Sequence, residues 1–162
     1  MSIDIRPAAL QVCELTLEDL SAAMALDAAA FDDPFSENLW RSLLAGQGRG
    51  WLLRERADTP VLAYALFSIV LDEAELLRIA VDPDAQGKGH GRQLLQSTLS
   101  FLHEWGCQRV MLEVRRSNTS AIHLYERSGF VQEAVRKAYY VDSAGVEDAL
   151  IYICSLARPG NI

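Results

Sequence analysis

Hydrophobic and polar positions follow two periods along the chain, one typical of helices and one typical of strands. The clearest helical pattern precedes Gly106, where apolar side chains recur every three to four positions and predict an amphipathic helix. Thr16 and Asp19 form a capping signal for an earlier helix, and Ser36 is expected to cap a second one. Residues 118–128 predict a further helix near the end of the chain.

Seven segments have the composition and turn boundaries of strands. The glycine-rich stretch 46–50 is expected to end the second helix at about Ala45, before the second of these strands. The element order βααβββαβαββ predicts an α/β (mixed α+β) fold with one mixed sheet of about seven strands and helices on both faces. The predicted strands are residues 10–14, 51–55, 61–71, 75–81, 108–114, 130–140 and 148–155.

The composition predicts one globular domain over residues 1–162. Half of the residues are hydrophobic and 23% are charged, and no repeat or linker divides the chain. Cys13, Cys107 and Cys154 are too widely spaced for a disulfide framework or a zinc site, which fits a reducing compartment. The histidines show no metal spacing, so we expect no metal.

The formal net charge of −7 changes which partners are expected. Binding to nucleic acid or to an anionic membrane normally needs a basic face, so neither is expected. A basic protein or peptide would be attracted instead. Because the chain also shows no signal sequence and no apolar run of about 18 residues, we expect a cytoplasmic protein.

A glycine-rich loop carries the strongest chemical signal. Glycine lets the backbone approach a ligand closely, and the free amides of a helix's first turn attract a phosphate or pyrophosphate. The spacing fits neither GxxxxGK[ST] nor GxGxxG. A helix entry that uses glycine only to turn is the alternative. The loop and the start of the following helix comprise Gln86, Gly87, Lys88, Gly89, His90, Gly91 and Arg92.

This run resembles the (R/Q)-x-x-G-x-(G/A) motif of the GNAT superfamily of N-acetyltransferases. The similarity covers nearly the whole chain and is strongest to the RimI-type ribosomal-protein alanine N-acetyltransferases. Three positions depart from that pattern: Arg78 stands where Asn is expected, Val141 where Pro is expected, and Phe35 where Trp is more usual. The matching segments are residues 34–37, 70–74, 79–84, 112–115, 117–118, 121–122, 124–126, 129–130, 139–140 and 147–149.

The resemblance implies the GNAT fold, with a mostly antiparallel sheet, and acetyl-CoA as cosubstrate. In this family the glycine loop, here residues 86–92, binds the pyrophosphate of acetyl-CoA. The strand before it binds the pantetheine arm, here through the backbone of Ile79, Ala80 and Val81, and Asn118 is also implied to hold that arm.

The resemblance also implies the chemistry and the acceptor. Glu113 is implied as the general base, and Tyr125 as the general acid that meets the CoA sulfur. Phe35, Tyr139 and Tyr140 would line the acceptor groove. The implied acceptor is the N-terminal alanine of a basic ribosomal protein, protein eighteen of the small subunit, or its N-terminal peptide.

The residues themselves leave alternatives open. Strand alternation places Glu113 opposite its apolar neighbours, where it is either functional, at an edge of the sheet, or paired with Arg115 or Arg136. Tyr125 is compatible with simple core packing, and Asn118 with a helix N-cap, which does not exclude a second role. A broader set of protein N-terminal, lysine or small-amine acceptors, and a noncatalytic acyl-CoA-binding module, remain the competing functions.

Overall fold

Seven strands and four α-helices make up the computed structural model, which describes residues 9–156. The first eight and last six residues of the predicted domain lie outside this range. No helix within the described range is long and apolar enough to cross a membrane. The strands are β1 (Gln11–Glu14), β2 (Gly48–Arg54), β3 (Ala63–Val70), β4 (Glu73–Val81), β5 (Arg109–Arg115), β6 (Val131–Asp142) and β7 (Gly145–Ser155). The helices are α1 (Leu20–Ala30), α2 (Glu37–Ala45), α3 (His90–Glu104) and α4 (Thr119–Arg127).

The strands form one mixed sheet in the order β1-β2-β3-β4-β5-β7-β6. Every neighbouring pair is antiparallel except β4 and β5, which run parallel. A parallel pair needs a crossover, and α3 supplies it between these two strands. The predicted fold class is confirmed.

Two separate cores lie on the two faces of the sheet. On one face, α3 and α4 bury residues such as Leu94 and Leu102 against Leu112 of β5. On the other, Trp40 of α2 packs against Tyr64 of β3. We call these the α3/α4 face and the α1/α2 face. Any ligand that reaches both faces must pass through the sheet.

The sheet opens between β4 and β5. These strands pair only where residues 73–75 lie beside residues 109–111. On its other side β4 carries a bulge, since Leu66 pairs with Arg78 and Phe67 with Leu76, which leaves Leu77 as an extra residue. A bulge bends its strand and increases the local twist. Beyond the bulge, the edge of β4 that faces β5 has no strand partner, so its backbone groups are available to a ligand.

As predicted, the second helix ends at the glycine-rich stretch, since α2 stops at Ala45 and Gly46 follows it. Gly48 and Gly50 belong to β2, which begins three residues before the predicted strand. A side chain at Gly48 would place its Cβ 2.6 Å from the Leu43 carbonyl oxygen. These glycines therefore allow α2 and β1 to approach the strand closely. The last hairpin is also longer than predicted, with β6 continuing to Asp142 and β7 beginning at Gly145.

Replacing Gly48 by Ala should test this close approach. The added methyl group meets backbone atoms of Leu43, which cannot move without shifting α2. We expect the free energy of unfolding in urea to fall by about 1–3 kcal/mol, the usual cost of overpacking. Arg49→Ala, which changes an exposed neighbour on the same strand, is the control. Equal stability of the two variants would contradict the packing role of Gly48.

Candidate active site

The glycine loop joins β4 to α3 and leaves open space above its backbone. Gly87 and Gly89 adopt left-handed φ values of 79° and 78°, and a Cβ added at either would meet no atom within 4 Å. The first intrahelical bond after the loop runs from the Gln93 amide to the Gly89 carbonyl. The amides before Gln93 belong to the helix end, where they carry a partial positive charge. This arrangement forms a cradle for an anion.

Gly91 differs from the other two loop glycines. It lies in the first turn of α3, and a Cβ there would stand 3.4 Å from Val81 and 3.5 Å from Leu124. Its missing side chain therefore lets α3 pack closely against β4 and α4. Lys88 and Arg92 are exposed beside it.

The predicted pantetheine strand lies at the opening of the sheet. Ile79, Ala80 and Val81 form the last three residues of β4, beyond the last residue that pairs with β5. Their side chains alternate, with Ile79 and Val81 packed in the α3/α4 core and Ala80 in the other core. Their backbone groups on the side toward β5 are therefore directed at the gap.

Glu113 lies on the α1/α2 face, because Leu112 and Val114 on either side of it belong to the α3/α4 core. Its side chain is 18% exposed, and its carboxylate pairs with the Arg136 guanidinium at 3.2 Å. The predicted salt bridge to Arg136 is thus present. Arg136 is 52% exposed, so the pair is open to water.

A second carboxylate, Glu75, lies on the same face and was not predicted as a site residue. Its partner in the parallel pairing is Met111, two residues before Glu113, so both carboxylates lie on one face of the sheet. Burial, followed by the negative charge of Glu113, raises the pKa of Glu75, and Arg136 opposes this rise. The Glu-Leu-Leu sequence that begins at Glu75 did not indicate a site residue, because it resembles the start of an ordinary strand.

Tyr125 lies on the opposite face, in the α3/α4 core. Its ring packs against Phe130 with the ring centroids 5.8 Å apart. Burial, and to a smaller extent Tyr140, raises the pKa of Tyr125 to about 12. The phenol therefore keeps its proton throughout the neutral range and is available as a hydrogen-bond donor.

Tyr140 connects the two sides of this site. Burial, followed by the charge of Glu113, raises the pKa of Tyr140, while Tyr140 itself acts on Tyr125. The guanidinium of Arg115 lies 4.2 Å from the centre of the Tyr140 ring. Tyr140 therefore stands within electrostatic reach of both Glu113 and Tyr125.

A backbone irregularity in β6 places the predicted tyrosine pair. The pairing with β7 shifts between Arg136 and Tyr140, and Ala138 takes a left-handed φ of 55°. The Ala138 amide donates a hydrogen bond to the Asp148 carboxylate at 2.9 Å, which fixes the bulge. Tyr139 and Tyr140 then meet edge to face, with ring centroids 5.2 Å apart.

Asn118 caps α4 as predicted, since its side chain accepts a hydrogen bond from the Ala121 amide at 3.3 Å. The turn before the cap is tied to the last hairpin. The Ser117 amide donates to the Glu147 carboxylate at 2.6 Å, and Arg115 pairs with the same carboxylate at 3.3 Å. The loop that carries Asn118 is thereby held beside the tyrosine pair.

Phe35 lies in the loop between α1 and α2, half-buried against Trp40 and the Arg78 guanidinium. It therefore shares the α1/α2 face with Glu113 but is not in the tyrosine pair's immediate surroundings. Within residues 9–156, no group of three or more His, Cys, Asp or Glu side chains is arranged to hold a metal ion.

Comparisons with known proteins agree with this geometry. A sequence profile of the acetyltransferase (GNAT) family matches residues 11–130. The ribosomal protein bS18-alanine N-acetyltransferase of Salmonella typhimurium is 42% identical over 138 residues, which cover 85% of this chain and 91% of that protein.

Solved structures show the same likeness. The ribosomal-protein-S18-alanine N-acetyltransferase from Escherichia coli has a TM-score of 0.85 at 36% identity, covering 94% of this chain and 97% of that one. A spermidine N-acetyltransferase from Vibrio cholerae, solved with CoA and spermine, shares the fold alone, with a TM-score of 0.77 at 21% identity over 91% of this chain and 95% of that one. The predicted resemblance is confirmed, and the chain belongs to the acetyltransferase (GNAT) family as one of its N-acetyltransferases.

Proposed function

We propose that this enzyme transfers the acetyl group of acetyl-CoA to the α-amine of an N-terminal alanine on a ribosomal protein of the bS18 type. The observation that carries the proposal is the gap between β4 and β5, with Glu113 on one face of the sheet and Tyr125 on the other. The names of the relatives support the acceptor. We also propose that residues 1–162 form one catalytic domain.

GNAT acetyltransferases use acetyl-CoA, and the loop of residues 86–92 has the features that its pyrophosphate requires. Gly87 and Gly89 leave space above the backbone, and the start of α3 presents amides. Lys88 and Arg92 add positive charge. The residues proposed for the pantetheine arm are the free edge of β4, at residues 79–81, together with Asn118.

The proposed reaction is direct transfer without a covalent enzyme intermediate. The amine nitrogen attacks the thioester carbonyl carbon, a C–N bond forms and the C–S bond breaks. Before the attack Glu113 accepts one proton from the ammonium; as the adduct collapses the nitrogen loses a second proton to water, and the electron pair of the broken C–S bond leaves on sulfur. Tyr125 donates a hydrogen bond to that sulfur as its negative charge develops.

The pKa of Tyr125 refines its role. A phenol with a pKa of about 12 is a weaker acid than a thiol near ~8.5, so complete proton transfer to the thiolate would be uphill by on the order of 5 kcal/mol. Hydrogen bonding to the thiolate is therefore the contribution we assign to Tyr125, with water as the final proton donor.

The acceptor side favours an α-amine over a lysine. An α-amine with a pKa near ~7.8 is roughly a tenth neutral at pH 7, whereas a lysine near ~10.4 is neutral in less than about one molecule in a thousand. Glu113 and Glu75 add negative charge on the acceptor face. Because Arg136 is half exposed, an incoming ammonium can take its place beside Glu113.

A noncatalytic acyl-CoA-binding module is the competing function from another class. It would have no use for a protonated, buried phenol and a carboxylate on opposite sides of one gap. Broader lysine or small-amine acceptors remain the competing function within the enzyme class, and the acceptor experiment below separates them.

Replacing Gly89 by Ala should weaken acetyl-CoA binding at least tenfold, as measured by calorimetry. The new methyl group strains a left-handed residue by about 1–2 kcal/mol and occupies the proposed pyrophosphate space. Gly106→Ala is a matched control, because Gly106 has a φ of 93° and equally open surroundings at the other end of α3. If both variants lose stability and neither loses affinity, the loop is not the cofactor site.

Replacing Glu113 by Gln should lower kcat/KM about a hundredfold at pH 7, with partial recovery as the pH rises. The recovery is expected because above about pH 8 most of the amine is already neutral and needs no base. Tyr125→Phe should lower turnover by a similar factor without recovery. The pKa of Tyr125, about 12, lies above the range tested, so its profile should run parallel to that of the wild type.

Thiol release measured from pH 6 to pH 9.5 checks both variants. A Glu113→Gln profile parallel to the wild type would remove Glu113 as the base. Wild-type turnover in Tyr125→Phe would leave Tyr125 with a packing role only.

The acceptor is tested with short peptides that begin with Ala and contain several Arg and Lys residues. We expect mass mapping to place the acetyl group on the terminal nitrogen. We also expect kcat/KM to fall as salt is raised, because screening within about 8 Å weakens attraction to the acidic chain. An Ala-started neutral peptide is the control, with little salt dependence. Label found mainly on lysine would overturn the α-amine proposal.

A further inference from the structure

A buried ion pair lies beneath the loop between α1 and α2. The Asp27 carboxylate is fully buried and accepts hydrogen bonds from the Tyr64 hydroxyl and from the Phe35 amide, the latter at 2.6 Å. Arg78 of β4 donates to the same carboxylate at 3.0 Å. One carboxylate thus joins the loop to strands β3 and β4.

Arg78 itself is enclosed by the loop. Its guanidinium lies 4.2 Å from the centre of the Phe31 ring and 3.8 Å from that of Phe35. It also donates to the Asp33 carbonyl at 3.1 Å, and its second terminal nitrogen lies 3.6 Å from the Asp33 carboxylate. Residues 31–35 therefore wrap around one side chain of β4 and are attached to it at both ends.

This ion pair fixes the geometry of the loop more tightly than is needed to stabilise the fold. A buried ion pair is often no more stabilising than apolar residues of the same volume, because both charges must be desolvated. A planar guanidinium between two rings fixes their orientation, and its fixed donors select one loop geometry. Asn, which the resemblance leads us to expect at this position, is too short to reach between the rings.

Arg78 lies between the segments proposed for the cosubstrate and for the acceptor. Arg78 directly precedes residues 79–81, the edge proposed to hold pantetheine. On its other side it holds Phe35, which shares the α1/α2 face with Glu113 and which the resemblance implies lines the acceptor groove. The charge of Arg78 is balanced by that of Asp27, and the Arg78 side chain is only 12% exposed. Arg78 therefore does not repel an incoming ammonium.

We infer that Arg78 is a positioning residue for the acceptor: it fixes the loop of residues 31–35 to β4 and thereby sets the affinity for the peptide. This inference rests on the proposed function. It assigns to Arg78 an effect on the KM of the acceptor, with little effect on turnover at saturation or on acetyl-CoA affinity.

The variants Arg78→Asn, Arg78→Lys and the double variant Asp27→Asn/Arg78→Asn test the inference. The double variant removes both buried charges, so it keeps the test valid if Arg78→Asn alone leaves Asp27 unpaired and fails to fold. The Arg54–Asp19 pair offers a control, because its 3.1 Å distance is close to the 3.0 Å of Arg78–Asp27 and both of its side chains are mostly buried, but it joins β2 to the turn before α1. Arg54→Asn should lower stability and leave KM unchanged.

We expect the double variant to raise the KM of an Ala-started basic peptide about tenfold, with kcat and the acetyl-CoA Kd within about twofold of the wild type. Lys can keep the charge beside Asp27 but not the contacts to both rings and Asp33, so Arg78→Lys should fall between the wild type and Arg78→Asn. Hydrogen exchange at the Phe35 amide should become faster in Arg78→Asn and in the double variant.

An unchanged peptide KM in the folded variants would overturn the inference, even if their stability fell. A loss of stability alone is what a purely structural ion pair would give. A rise in KM that Arg54→Asn shares would overturn it as well. Absence of peptide acetylation by the wild type would instead refute the proposed function, and the inference with it. The wild-type measurement therefore separates the two failures.

Discussion

Leu77 adds one residue to β4 that β3 does not match, and the arrangement of the site follows from the bend that this bulge introduces. Before the bulge, Leu76 faces the α3/α4 core; after it, Ile79 faces that core again, although three positions separate the two. An unbroken strand would have turned Ile79 to the other face. The same shift turns Arg78 toward α1, and the bend coincides with the end of pairing to β5.

The gap that results gives the two faces different chemical tasks in the proposed mechanism. Glu113 can reach only a group on the α1/α2 face, and Tyr125 only a group on the α3/α4 face. The acetyl group must lie between them, at the level of the sheet. The amine and the sulfur then meet the acetyl carbon from opposite faces of the gap, so the proton leaves on one side and sulfur develops its charge on the other.

The sequence predicted the parts of this site that depend on local patterns. Alternation placed Glu113 opposite its apolar neighbours, and the cap at Asn118 follows from residue type. The bulge could not be predicted, because Leu76 and Leu77 form an apolar pair that fits an unbroken buried strand equally well. Glu75 was missed for a related reason: only the register with β5 brings it to the face of Glu113. The end of α2 at the glycine stretch was predicted, but the start of β2 at Gly48 was not, since the sequence shows a missing side chain but not the neighbour that requires it.

Charge is distributed to match the two proposed substrates. The chain is acidic as a whole, yet exposed Lys88 and Arg92 accompany the start of α3, where they would add positive charge beside a pyrophosphate. On the acceptor face the balance is reversed: Glu113 pairs with half-exposed Arg136, and Glu75 lies on the same face of the sheet. An ammonium that displaces Arg136 gains two carboxylates, whereas a phosphate there would meet repulsion. In the proposed mechanism the sheet therefore separates the anionic part of the cosubstrate from the cationic acceptor, and each would be attracted to its own side before any shape-specific contact forms.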